Sequence, residues 1–173
     1  MKLTVRHAFV CLLFLLACCA APLQAADLTQ VYYPTQAEAQ FTVAVPSDWE
    51  LTPQGDEGAE DYFEVAGPNG LELSFRTVPG ADIDAAVQAH IAYLKENFTE
   101  IAMGDARETT INGMEAIILP AKGKDEDGVL REFGAGWFKL GGEAIGELWY
   151  NVDDSDSAGK SAAAAVLNSL KAP

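Results

Sequence analysis

The chain has 173 residues, with 26 acidic and 11 basic side chains and a net charge of −15. All three cysteines fall in the first 25 residues, a stretch that holds Lys2, Arg6 and His7 but no acid. Without that stretch nine basic residues face 26 acidic ones, a balance of −17, with His90 the remaining histidine. A mature chain of this kind has no disulfide framework and no thiolate chemistry. It lacks the basic surface that nucleic acid or anionic lipid requires.

Residues 1–25 are expected to be a secretory signal peptide. Lys2 and Arg6 form its positive end, Ala8–Ala21 is an apolar run, and Leu23-Gln24-Ala25 suits cleavage after Ala25. The run is short for a bilayer span, which needs about 20 residues. An uncleaved anchor is one alternative. The other is a lipoprotein, with Cys18 or Cys19 lipidated after Leu15-Leu16-Ala17-Cys18 or its neighbour frame, though Leu16 is large for that motif. The mature protein is therefore expected outside the cytoplasm, periplasmic or secreted, with no membrane span left after cleavage.

The remaining 148 residues are the size of one domain with a proper core. Residues 26–37 are expected to be a loose leader with a short strand at Val31–Tyr33, and residues 38–173 a single α/β domain. Phe41–Val45 alternates with period two and ends at Pro46. Trp49–Thr52 and Tyr62–Ala66 are further strands, separated by a polar loop, and Asn69-Gly70 is a hairpin turn. In Leu71–Val78, Leu71, Leu73 and Phe75 face one way, and Glu72, Ser74 and Arg76 the other. The period then changes. Ile83, Val87, Ile91, Leu94 and Phe98 mark one stripe of a helix ending near Asn97, with Asp82 as its cap. Four extended stretches follow, Ile101–Thr110, Met114–Lys122, Val129–Leu140 and Glu143–Val152, joined by turn sequences. A last helix is expected over Ser157–Leu170, capped by Asp156 or Ser157, with Ala163, Val166, Leu167 and Leu170 inward. Hairpins between consecutive strands imply an antiparallel sheet. The pattern alone leaves two-layer and three-layer sandwiches open.

Several of these segments resemble the PsbP-like domain family. Phe41–Trp49 is similar to its opening F-x-x-x-x-P-x-x-W strand. Ile111-Asn112-Gly113-Met114-Glu115-Ala116, a long closing hairpin and the terminal Leu167-Asn168-Ser169-Leu170 follow in the same order. The resemblance spans about residues 38–171. It implies an α+β fold with an antiparallel sheet of about six to seven strands and helices on both faces. The family includes the photosystem II protein PsbP, a Ran-binding protein and bacterial envelope proteins of the DcrB type, the last being the branch that export favours. It is mainly non-catalytic; its members bind or assist proteins, and some bind metal ions. No active-site motif carries over.

The residues themselves offer little catalysis. His90, at the edge of the helical stripe, is a conceivable general base for a hydrolase, but reads better as a boundary histidine with a solvent or backbone partner. No serine lies in a G-x-S-x-G elbow. Carboxylates cluster at Asp56, Glu57, Glu60 and Asp61, at Asp125–Asp127, and at Asp153, Asp154 and Asp156. Such oxygen-rich loops are weak candidates for calcium or manganese, and otherwise ordinary turn and capping chemistry. The last cluster fails as an EF-hand, with Ala158 and Ala165 at ligand positions. Trp137 and Trp149, on the arms of the closing hairpin, are candidates for a partner surface, or for core packing under a helix. Gly134, Gly136, Gly141 and Gly142 are expected to allow bends or close packing of Trp137. The expected function is a non-catalytic binding or accessory protein acting through contacts with an envelope protein. Its alternative is a small-molecule or divalent-cation binder.

Overall fold

The computed structural model describes residues 27–54, 62–78, 83–141 and 144–172. A two-stranded hairpin opens the fold, β1 (Leu28–Tyr33) with β2 (Phe41–Pro46). Then come β3 (Glu50–Gln54), β4 (Tyr62–Ala66), β5 (Glu72–Val78), α1 (Ile83–Asn97), β6 (Thr99–Met103), β7 (Arg107–Ile111), β8 (Met114–Lys124), β9 (Leu130–Lys139), β10 (Ile145–Asp153) and α2 (Ser157–Ser169). β3 to β10 form one antiparallel sheet in the order β3-β4-β5-β10-β9-β8-β6, with β7 on the remaining half of β8.

The alternation of side chains divides this sheet into two faces. Phe63, Val65, Leu73, Phe75, Phe138, Leu148 and Val152 form the main core. Over it lie Tyr33, Phe41, Val43 and Val45 of the first hairpin, Ala163 and Val166 of α2, and Leu170 just past the end of α2. Each large side chain buried here stabilises the fold by about 1.5–3 kcal/mol. On the opposite face α1 covers Leu119, Ala121, Phe133, Ala135 and Trp137.

Three expectations need correction. The sheet has eight strands rather than six or seven, because the stretch read as Ile101–Thr110 breaks into β6 and β7, which pair with successive halves of β8. The two faces are not covered alike: α1 alone lies on one, whereas on the other α2, chiefly against β2 and β10, shares the cover with the first hairpin. The leader's short strand, expected at Val31–Tyr33, is longer and not loose: β1 pairs with β2 along its whole length and buries Tyr33.

The glycines also serve a different purpose from the one expected. Gly134 faces the Tyr150 ring, Gly136 faces Leu148, and Gly146 faces the Phe138 ring, each a direct cross-strand pair of β9 and β10. A missing Cβ makes room for one large neighbour in each pair, and Trp137 is not among them.

Two Asn-Gly turns have both central residues at positive φ, Asn69-Gly70 (58° and 68°) and Asn112-Gly113 (48° and 86°). This is the hairpin chemistry the sequence predicts. Asn112 does more. Its Nδ2 donates to the carbonyls of Asn168 (2.6 Å) and Leu170 (2.7 Å), clasping the end of α2. Asn112→Gly keeps the turn and loses the clasp, at an expected cost of about 1 kcal/mol. Asn112→Ala also forces a Cβ-bearing residue without a polar side chain to a left-handed position, for a total of about 2 kcal/mol. Urea denaturation of the two variants separates these contributions.

Candidate functional site

α1 places its buried stripe at Ala86, His90 and Leu94, one residue round from the expected Val87 and Ile91, which are only partly buried. The small Ala86 lets the helix settle closely on the sheet at this stripe. His90 is therefore not a boundary residue: it is 2% exposed. Its ring meets Trp149 at 4.6 Å and Trp137 at 6.2 Å, both edge to face. Neither imidazole nitrogen has a hydrogen-bond partner among the described residues, and the same is true of Trp149 Nε1. A buried polar group without a partner costs about 1–3 kcal/mol, so three together in one place stand out.

Burial pushes the His90 imidazole down to about 4, which leaves it neutral at neutral pH. The unfolded chain takes up this proton near pH 6.5, so protonation favours unfolding. Stability is expected to be whole above about pH 6.5 and to fall by about 2 kcal/mol as the pH drops towards 4. His90→Leu should flatten that slope in urea titrations run across the window. An unchanged slope would show that another group titrates.

Beside His90, a buried ionic group closes the floor. Glu147 is 1% exposed and accepts from Trp137 Nε1 (2.8 Å) and from Arg76 Nε. The Arg76 guanidinium lies 6.0 Å from the Trp149 ring centre. Neither Arg76 nor Glu147 was a sequence candidate. A legible signal existed: Glu147 sits between Gly146 and Leu148 in a strand facing a helix, where a buried indole N–H needs an acceptor.

α1 covers β8 and β9 but stops short of β4 and β5. Between its edge and the sheet lies a cleft of about 150 Å³. His90, Tyr93 and Leu94 line one side; Ser74, Trp149 and Asn151 line the other. Glu64 and Glu72, both exposed, also line it. The Tyr93 ring lies 5.0 Å from that of Trp149. Partial burial pushes the Tyr93 phenol up, and the charges of Glu72 and Glu64 push it further.

The two tryptophan candidates thus separate. Trp137 is buried under α1, whereas Trp149 is half-buried and lines the cleft. The carboxylate candidates do not join either of them. Asp56, Glu57, Glu60 and Asp61 lie outside the described residues. Asp125 accepts from the amides of Asp127 and Val129, as turn chemistry does. Asp153 holds the Ser155 amide and hydroxyl. Asp154 takes Lys122 (2.6 Å) and Lys160 (2.9 Å), whose ammonium groups hold its carboxyl down to about 2. Asp156 caps α2 through the Gly159 amide (2.8 Å) and accepts from Asn69. Among the described residues no three or more His, Cys, Asp or Glu side chains converge to hold a metal ion.

The solution structure of cyanobacterial PsbP (CyanoP) from Synechocystis sp. PCC 6803 matches this chain with a TM-score of 0.61, covering 88% of this chain and 96% of that one at 13% identity. The fold is PsbP-like. A crystal structure of PA94 from Pseudomonas aeruginosa, a protein of unknown function, is a looser match, with a TM-score of 0.44 and 12% identity over 78% of this chain and 90% of that one. No protein-family model matches the chain, and no curated protein is significantly similar to it. At 13% identity the likeness speaks for the PsbP-like fold and not for its sites. The cleft has to be read from its own residues.

Proposed function

We propose that the mature chain is an exported, non-catalytic binding protein of the DcrB-type envelope branch, and that its ligand seat is the cleft between α1 and the sheet. One observation carries this reading. Three buried polar atoms, Nδ1 and Nε2 of His90 and Nε1 of Trp149, have no hydrogen-bond partner among the described residues, and both residues line one concave site. A general-base role for His90 is disfavoured by its chemistry. Its imidazole is weakly basic and walled by two indoles, and no described serine or carboxylate hydrogen-bonds to it. Export rests on Lys2, Arg6 and the apolar run behind them. The intact mass of the recovered protein distinguishes cleavage after Ala25 from lipidation at Cys18 or Cys19.

A library of small fragments of mixed charge tests the seat. Binders are expected to perturb the backbone amide resonances of Ser74, Tyr93 and Asn151 together, and Ser74→Trp, which fills the cleft, should abolish the effect. If no fragment perturbs these amides, the reading fails.

A second reading, contact with an envelope protein, draws on β1. Leu28 (62% exposed) and Tyr32 (39%) both point away from the core on this outer strand. Cross-linking in the native envelope should then yield a specific adduct that Leu28→Asp with Tyr32→Asp removes.

A further inference from the structure

We propose that the ligand of this cleft is a small neutral hydroxyarene, a phenol-type molecule whose ring lies against the apolar wall and whose hydroxyl group meets His90 and Trp149. The inference rests on the cleft's being a ligand seat and goes on to name what it takes.

The polar groups without partners set the complement. His90 is 2% exposed, and neither of its nitrogens nor the buried Nε1 of Trp149 hydrogen-bonds to a described residue. Burial keeps the imidazole neutral, so it carries one N–H and one lone pair. The indole carries one N–H and no acceptor. Together the two side chains ask for a group that accepts and donates at one atom. A hydroxyl does both. Its oxygen accepts from Trp149 Nε1, and its hydrogen goes to the imidazole lone pair. The two rings lie 4.6 Å apart between centres, within the reach of one shared oxygen. An ether oxygen accepts only and leaves the lone pair unmet, at a cost of about 1–3 kcal/mol for a desolvated group.

Size and wall chemistry favour an aromatic body. A cavity of ~150 Å³ with apolar walls admits a benzene-sized molecule, and this cleft measures about 150 Å³. Leu94, Phe98, Phe133 and Trp149 supply apolar and aromatic wall.

The charges around the cleft favour a neutral occupant, because they are already engaged. Glu72 accepts from Asn151 Nδ2 (3.1 Å), and Glu64 has an interaction of its own. Arg76, on the far side of the Trp149 ring, is held by Glu147. A cation entering here would give up its hydration without finding an unengaged carboxylate. An anion would meet Glu64 and Glu72, and no lysine or arginine lines the cleft to offset them. A neutral hydroxyarene asks for no counter-ion.

The test titrates the purified protein at neutral pH with four one-ring probes: p-cresol, its isomer anisole, which has no O–H, and the charged benzylamine and benzoate. The readouts are the amide resonances of Ser74, Tyr93 and Asn151 and the indole N–H resonance that Trp149→Phe removes. p-Cresol is expected to move all of them and to bind about tenfold more tightly than anisole, the worth of one hydrogen bond in such a site. Benzylamine and benzoate should bind more weakly than either. His90→Leu should bring p-cresol down to the affinity of anisole, whereas Trp149→Phe should weaken both by a similar factor. The comparison of p-cresol with anisole in the parent protein decides the matter even if a variant does not fold. Equal affinity for these two, or an indole resonance that p-cresol leaves unmoved, overturns the hydroxyl. Tighter binding of benzylamine or benzoate overturns neutrality. Each of these outcomes leaves the cleft a ligand seat. If none of the four probes moves these resonances, the hydroxyarene is overturned outright, and the seat itself stands or falls with the mixed-charge fragments.

Discussion

Arg76→Met is expected to destabilise the protein by about 3 kcal/mol, because it leaves the Glu147 carboxylate charged and unpaired in a site that is 1% exposed. Removing one partner of a buried ion pair costs about 3–5 kcal/mol. The lower end applies here because the Arg76 side chain is itself a quarter exposed, at 25%. The reverse change is milder. Glu147→Gln keeps an oxygen for Trp137 Nε1 and leaves Arg76 with access to water, so about 1 kcal/mol is expected. The double variant should come close to Glu147→Gln alone, since no charge is then stranded. Urea denaturation of the four proteins gives the coupling, expected to be about 2–3 kcal/mol. An Arg76→Met protein within about 1 kcal/mol of the parent would mean that the pair is not desolvated as described.

Gly146→Ala should cost about 2–3 kcal/mol, the upper part of the range for an overpacked core. A Cβ at this position would lie 2.1 Å from two atoms of the Phe138 ring. That ring cannot swing aside. It is 1% exposed and meets Phe41 edge to face at 5.6 Å between ring centres. Gly146 does not have positive φ, so alanine brings no backbone penalty and the effect is steric. Phe138→Leu should therefore rescue much of the Gly146→Ala loss, and the two effects should be non-additive by more than about 1 kcal/mol. Strict additivity would count against the contact.

Most of this architecture could be read from the chain because it is written in short-range periodicity. Leu71, Leu73 and Phe75 announced an inward face by alternation, and all three are buried. Asn69-Gly70 and Asn112-Gly113 announced their turns by needing a backbone that few residues tolerate. Asp156 announced its helix by the cap it makes. What stayed hidden depends on separations of many residues. Arg76 and Glu147 are 71 positions apart, and only the pairing of β5 with β10 brings them together. The burial of His90 was invisible for a related reason. Helical periodicity marks a stripe, but the angle at which α1 sits down is set by what it meets, here two indoles and the small residues around them. The cleft follows from that angle and from how far α1 fails to reach across β4 and β5, neither of which leaves a local signature.

The pairing of β5 with β10 also governs the order in which the chain can become a protein. Residues 72–78 wait for residues 145–151 as their neighbours, and the main core is closed by α2, at residues 157–169. A chain emerging N-terminus first during synthesis presents β3, β4 and β5 with one edge open and Phe75 bare until almost its whole length has been made. Contacts this distant in sequence form slowly. The topology therefore postpones stable folding until nearly the whole chain is present, and the first strands stay unpaired along one edge for as long as that takes.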